Sequence, residues 1–435
     1  MGKTTITKPF LESLQLQKLG DALAASQNRI KLDGLIGSSM SITLAESFKT
    51  AAKPFLLILN DKEEAAYILN DLEQLVKEND VLFYPGSYRR PYQIEETDNA
   101  NVLLRAEVLN RINSRKKPAL VVTYADALFE KVVTRKELDK STLKVKLNDK
   151  ISLDFVNEML FEYKFKRVDF VTEPGEFSVR GGIIDVFSFS HDQPYRIEFF
   201  GDEVDSIRTF DVETQLSVDK ISKISLMPNV ENKALQETRE SFLKYIAEDT
   251  VIFTQDIEQL ASRIDTNFSK AEEAFEKLES AIKRNTPAEL FCDSSMIKRQ
   301  LLDFTLVTFN EAISTATSER AGLQIQFNQQ PQPAFNKQFN LLIENLNENY
   351  EAGYTNYICC SSEQQAKRFQ DIFNDADLNV KQYETIILSL YRGFIDDDLK
   401  MVCYTDHQIF ERYHKFKLKD GYAKKQAITL KEWTS

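Results

Sequence analysis

The sequence predicts an α/β fold in which a parallel-sheet lobe is interrupted by an antiparallel α+β module and followed by a small α/β domain. Three observations carry this. Continuous apolar runs of strand length alternate with helix-period segments up to about residue 132, which reads as βαβ units on a parallel sheet. Short segments of alternating polarity then dominate as far as residue 228, and two more strand–helix pairs follow residue 355. A chain of 435 residues suits about three domains of ~150 residues each.

The first element is a strand-like run, Leu32–Ile36, leading through Gly34-Leu35-Ile36-Gly37-Ser38-Ser39-Met40-Ser41 into a helix over Ile42–Ala51. This has the outline of a phosphate-binding P-loop, whose GxxxxGK[ST] pattern supplies close backbone approach, a lysine for the phosphates and a hydroxyl for magnesium. Aligned on Gly34 and Gly37, the second glycine is Ser39 and the lysine is Met40, so only the hydroxyl remains, as Ser41. A thioether cannot neutralise phosphate. On these eight residues alone a chance Gly/Ser turn before a helix is the alternative.

Pro54–Leu59 is a buried-strand run, and Asp61 with Glu64 forms a capping box for a helix with Ala65, Ile68, Leu69, Leu72 and Val76 on one face. Strands over Val81–Tyr84 and Ala119–Thr123 flank an irregular Pro/Tyr/Arg loop and a helix from about Asn99 to Asn113, and Tyr124–Val132 reads as helical. In the antiparallel part, strands are expected at Phe177–Arg180, Ile183–Phe187, Tyr195–Phe200, Ser206–Phe210 and Ile221–Leu226, with a turn at Gly201-Asp202. Helices are expected at Leu235–Ile246 and Ser262–Arg284, and the Gln/Pro-rich Ile325–Pro333 reads as a linker. Tyr357–Cys360 and Lys400–Tyr404 are strands, each before a helix, capped by Ser361 with Gln364 and by Asp406. The charged segment Lys415–Ser435 has no apolar period, and the chain reads as cut at a domain boundary. The expected units are 1–132, 133–228, 229–318 (mainly helical) and 319–435.

Composition excludes several function classes. A net charge of −12 argues against a dominant DNA binder, whose affinity comes from phosphate neutralisation by Lys and Arg. No apolar run approaches the roughly 20 residues that span a bilayer, and the N-terminus lacks a signal-peptide stretch, so no membrane partner and a cytoplasmic location are expected. Cys292, Cys359, Cys360 and Cys403 have no CxxC spacing and the three histidines are scattered, so no metal site is expected.

The specific signal lies between residues 165 and 208. Phe165-Lys166-Arg167-Val168-Asp169, Pro174–Phe187 (with Arg180-Gly181-Gly182-Ile183-Ile184-Asp185-Val186-Phe187) and Tyr195–Arg208 (with Arg196-Ile197-Glu198-Phe199-Phe200-Gly201-Asp202-Glu203) resemble the UvrA-binding module shared by UvrB and the bacterial transcription-repair coupling factors. Two patterns, of about eight and twelve positions, occur in order. The resemblance extends over most of the chain and weakens towards the C-terminus. It implies a helicase-like lobe interrupted by that module and, in the coupling factors, followed by a small α/β domain. It also makes Gly34–Ser41 a relic of UvrB's working P-loop.

Departures from UvrB set the expected function. UvrB carries a tyrosine-rich DNA-clamping hairpin after the Val81–Tyr84 position, whereas here Pro85–Tyr92 runs almost directly into Glu95–Asn99. No acidic helicase motif lies within a strand. Tyr84, Tyr88 and Tyr92 beside Arg89 and Arg90 have the residue types for base stacking, but a packed surface loop is the plainer reading. UvrB also has an arginine where this chain has Ser178, which implies a weaker or differently balanced partner contact. By resemblance, Arg167, Arg180, Phe187, Arg196 and Glu198 match positions used against UvrA: guanidinium forks for carboxylates around an aromatic anchor. Residues two apart share a strand face, so Arg196 and Glu198 project together, away from Tyr195, Ile197 and Phe199. The bland alternative is a surface salt bridge between Arg196 and Glu198, worth about 0–1 kcal/mol.

The resemblance therefore implies a non-catalytic region that recruits UvrA, with no catalytic residues and no cofactor of its own. RNA polymerase, duplex DNA, ATP and magnesium are expected to engage downstream domains of a longer translocase. The alternative is a UvrB-like subunit with ATPase activity.

Overall fold

The computed structural model describes residues 2–26, 28–77, 80–88, 99–114, 117–189, 191, 193–228, 239–277, 286–309, 322–375 and 379–412. Helices α1 (Gly2–Leu11) and α2 (Leu14–Ala24) precede β1 (Arg29–Asp33) and α3 (Ser39–Ala51). The strand ends before Gly34 because the chain turns there with φ +81°, and a Cβ would lie 2.0 Å from the Phe327 carbonyl oxygen. The helix starts at Ser39, three residues before the expected Ile42. Then come β2 (Phe55–Leu59), α4 (Lys62–Leu75), β3 (Val81–Tyr84), α5 (Asn99–Ser114) and β4 (Leu120–Tyr124). Asp61 caps α4, taking the Glu64 amide at 2.9 Å. The Glu64 carboxylate does not close the capping box but accepts from Gln255 instead.

A short β5 (Val132–Val133) leads to β6 (Leu143–Lys146), the entry of the antiparallel module. There β7 (Lys166–Arg167), β8 (Glu176–Arg180), β9 (Ile183–Val186), β10 (Tyr195–Phe200), β11 (Glu203–Phe210) and β12 (Ser217–Lys220) form one six-stranded sheet in the order β12-β11-β10-β9-β8-β7. The β8–β9 hairpin turns on Gly181-Gly182, with Gly181 at φ +58°, and β10–β11 turns on Gly201 at φ +62°. Those positive φ values match primed hairpin turns, which favour glycine. The core face carries Phe177, Ile184, Val186, Tyr195, Ile197 and Ile207, all buried, with Phe177 edge-on to Phe161 of the helix Leu153–Glu162. The strand β13 (Lys223–Leu226) returns antiparallel to β6, so the chain leaves the module beside its entry.

β14 (Arg239–Glu240) pairs with β5, and β15 (Val251–Thr254), β16 (Thr305–Phe309) and β17 (Leu323–Gln326) rejoin the lobe. The completed sheet has seven parallel strands in the order β17-β1-β16-β15-β2-β4-β3. Finally β18 (Gln329–Pro331), β19 (Thr355–Cys360), β20 (Glu384–Ile387), β21 (Phe394–Asp396) and β22 (Met401–Thr405) build a mixed five-stranded sheet with the helices Phe339–Glu351 and Glu363–Asp375.

Further expectations are corrected, among them the helix over Tyr124–Val132, which is only Ala125–Leu128 with Val132 in β5. Ile325–Pro333 is no linker: its start lies in β17, parallel to β1, and its Gln-rich stretch is β18, antiparallel to β21. The C-terminal unit therefore begins after β17, and 229–318 supplies two central strands of the lobe. The described part of Leu235–Ile246 is β14 and a single turn, Phe242–Tyr245, because Phe242, Leu243, Tyr245 and Ile246 are all buried and no polar helix face exists. The predicted Ser262 helix starts at Ile257, where Asp256 caps it, and runs to Glu276. Ser362, not Ser361, caps the helix Glu363–Asp375, while Ser361 donates to Asp406 at 2.9 Å. All four cysteines are buried and unbridged. Arg89–Tyr92, Glu95 and Lys415–Ser435 lie outside the described residues.

Candidate functional site: an arginine face and the β1–α3 loop

The solvent-side face of the six-stranded sheet follows from register. Ser178 of β8 lies opposite Asp185 of β9, Asp185 opposite Arg196 of β10, and Arg196 opposite Arg208 of β11. Side chains alternate along each strand, so Arg180, Asp185, Arg196, Glu198 and Arg208 share one face. Asp185 is the keystone and is 1% exposed. Its carboxylate takes Arg196 Nε at 2.7 Å and Nη2 at 2.9 Å, and Arg180 Nη2 at 2.5 Å. One carboxylate against two guanidiniums leaves a local charge of +1. Glu198 pairs not with Arg196 but with Arg208, at 2.9 Å, and accepts from Ser206.

The two arginines of this clamp differ. Arg196 is committed: its Nη1 donates to the Gln215 carbonyl at 3.2 Å, its guanidinium lies 4.7 Å over the Phe210 ring, and its side chain is 16% exposed. The pair with Asp185 holds its proton more firmly than an ordinary arginine's. Arg180 is 45% exposed. Its guanidinium lies 5.5 Å from the ring of Phe170, an aromatic that is itself 61% exposed. Arg167, on the edge strand β7 and paired in register with Phe177, is exposed.

Phe187 departs from its expected role as a presented anchor. It is on the arginine face but 1% exposed, covered with Val171 and Phe210 by Val168 and Val212. It floors the patch. The aromatic that reaches solvent beside Arg180 is Phe170, which the motif match missed because it falls just past the matched Arg167–Asp169 stretch. Ser178 is 2% exposed, its hydroxyl donating to the Asp169 carbonyl at 3.2 Å.

The second site is the loop between β1 and α3, with Gly34, Gly37, Ser39, Met40 and Ser41 where the sequence places them. Ser38 and Ser41 hydroxyls both donate to Asp71 of α4, at 2.6 and 3.1 Å. Asp71 is fully buried, and burial pushes its carboxyl up to about 7 against its hydrogen bonds. A cleft of about 520 Å³ opens beside the loop, lined by Met40, Glu64, Asp71, Gln255, Arg392 and Gly393 among others. Glu64 is raised by burial too.

At the place where a clamp hairpin would insert, Tyr84 is buried between Phe242 (4.0 Å) and Arg105 (4.4 Å), and Tyr88 is edge-on to Phe291. Arg105 and Glu130, 1% and 2% exposed, form a buried pair at 3.2 Å, and Glu130 also takes the Ser87 amide and hydroxyl. These tyrosines are packing groups, not a stacking surface. Among the described residues there is no His/Cys/Asp/Glu group able to hold a metal, and no helix long and apolar enough to cross a membrane.

An arginine-bearing sheet, antiparallel except for its β7–β8 edge, set into an interrupted parallel lobe defines the class. Residues 143–231, which span the module, match the family model of the UvrB interaction domain. More of the chain is similar to transcription-repair-coupling factors: 32% identity to that of Bacillus subtilis over 45% of this chain and 17% of the relative, and 31% to that of Myxococcus xanthus over 50% and 19%. The factor of Staphylococcus haemolyticus aligns over 92% of this chain and 40% of its own length, at 23% identity. The chain thus spans well under half the length of these relatives.

Proposed function

We propose that this chain is the non-catalytic N-terminal region of a transcription-repair coupling factor, which recruits UvrA in nucleotide excision repair at stalled RNA polymerase. The observation that carries the reading is the clamp on Asp185, which holds an exposed Arg180 beside an exposed Phe170 on a UvrB interaction domain. Arginine and aromatic side chains together are what interface hot spots are made of. Arg167 extends the patch. Arg196 and Phe187 act from beneath by holding and flooring it, and Glu198 fixes Arg208 at its margin.

RNA polymerase, duplex DNA, ATP and magnesium belong, in this reading, to further domains of an ATP-dependent translocase. The alternative, a UvrB-like ATPase subunit, is disfavoured by Met40, a thioether that offers no charge to phosphate where a P-loop needs lysine. The test is co-elution of the purified chain with UvrA on size exclusion. The reading expects a complex that Phe170→Ala and Arg180→Glu each weaken, and no shift in elution with UvrA would refute it.

A further inference from the structure

A working P-loop turns its backbone amides towards phosphate oxygens. In this relic those amides face oxygens of the same chain. The Ile36 amide donates to Gln329 Oε1 at 2.9 Å, and the Ser38 amide donates to the Arg392 carbonyl at 2.9 Å. The Ser39 hydroxyl also reaches Gln329 Oε1, at 2.5 Å. Both acceptors come from the C-terminal α/β unit, beyond β17. The contact is reciprocal: the amides of Ser389, Tyr391 and Arg392 donate to Gln74 Oε1, Asp71 Oδ1 and Ser38 Oγ, at 2.9, 2.8 and 3.0 Å. Gly37 sits so close that a Cβ would lie 2.7 Å from the Gly393 carbonyl oxygen. The ring of Tyr391 stacks on Tyr67 of α4 at 3.9 Å, 7° from parallel.

We propose that the relic P-loop is a docking socket whose ligand is the chain's own segment Ser389–Gly393, with Gln329 beside it, so that it joins the C-terminal unit to the lobe. The residue changes that remove nucleotide chemistry suit this ligand. Carbonyl and carboxamide oxygens are neutral, so no lysine is needed and Met40 is tolerated. Asp71 receives two serine hydroxyls and the Tyr391 amide, all from within the chain. The side chain of Ser39, which would crowd a phosphate, is the group that reaches Gln329. The serines of the loop are thus matched to a peptide in place of a nucleotide. The inference does not depend on UvrA binding.

The test is residue-resolved hydrogen exchange on the full chain, because the amides of Ile36, Ser38, Ser389, Tyr391 and Arg392 all donate across this joint. In Gln329→Ala/Tyr391→Ala, which leaves the lobe's sequence intact, these amides should exchange at least tenfold faster. Amides of β1–β16 and β19–β22 serve as controls and should not change. Asp71→Asn, nearly isosteric, should speed Tyr391 and Arg392 in the same direction and stands as the readout if circular dichroism shows the double variant unfolded. Millimolar ATP with magnesium should leave exchange across residues 34–41 of the wild-type protein unaltered. Wild-type protection of the joint amides in the folded variants, or slowing of residues 34–41 by ATP, would overturn the proposal.

Discussion

Replacing Asp185 by asparagine probes the arginine face at its keystone. The carboxylate accepts three guanidinium hydrogen bonds while 1% exposed. Asparagine keeps the shape, but one oxygen becomes an NH2 that faces guanidinium N–H groups, donor against donor. Arg196 is well shielded, so losing one of its charge-assisted bonds costs about 1.5–3 kcal/mol. Arg180 is 45% exposed, and solvent screening limits its share to about 0–1 kcal/mol. The expected total is about 1.5–4 kcal/mol of local stability, read as faster amide exchange in β9 and β10. Partner binding should weaken too, because a released Arg180 must be ordered again on binding. That costs about 0.5–1.5 kcal/mol, or roughly two- to tenfold in Kd. Calorimetry against UvrA gives the second number. Unchanged β9–β10 exchange in Asp185→Asn would refute the clamp as a source of stability, and loss of stability with wild-type affinity would refute its role in presenting Arg180.

Three other outcomes are expected. Phosphate release by the chain with ATP and magnesium should stay at background, because Met40 replaces the lysine and Ser39 the glycine; turnover abolished by Ser41→Ala would contradict this. Glu130→Ala should destabilise the lobe by about 3–5 kcal/mol in equilibrium denaturation, since it strands the buried Arg105 charge and the Ser87 amide. Asp71 titrates near 7 when folded, against 3.8 ordinarily, so the native state holds a proton that the unfolded chain releases. Its contribution is fully present below about pH 4 and is lost as pH rises through about 7. It amounts to at most about 4 kcal/mol, and stability measured from pH 4 to 8 should vary less in Asp71→Asn.

The parallel lobe was legible because β2, β3 and β4 are short continuous apolar runs, which a sheet covered on both faces requires. β17 was not. Its Leu323 and Ile325 are only two apolar residues among glutamines, and its place comes from parallel pairing with β1, some 290 residues away in sequence. Helical periodicity failed at residues 239–246 because a buried turn and a two-residue strand repeat no face. In the module, strand alternation gave the correct face for Arg196 and Glu198, but partners across a sheet depend on register. Alternation alone therefore suggests Glu198 as the partner of Arg196, whereas Asp185 lies directly opposite it. Alternation also puts Phe187 on the arginine face, as expected, yet cannot reveal the segments around Val168 and Val212 that cover it. The glycine–serine loop between β1 and α3 was legible as a turn before a helix. Its occupant was not, since Gln329 and Ser389–Gly393 lie some 290 to 355 residues further along the chain.

The central claim, that the arginine face is the partner-binding surface, is tested most directly by titrating UvrA into the Arg167→Ala/Arg180→Glu variant in a calorimeter, with circular dichroism to verify the fold. Both side chains are exposed, and neither is needed to fill a core. The account predicts a Kd at least tenfold weaker than wild type, the equivalent of about 1.4 kcal/mol, and a wild-type contact that weakens with added salt. Wild-type affinity in the folded double variant would contradict it.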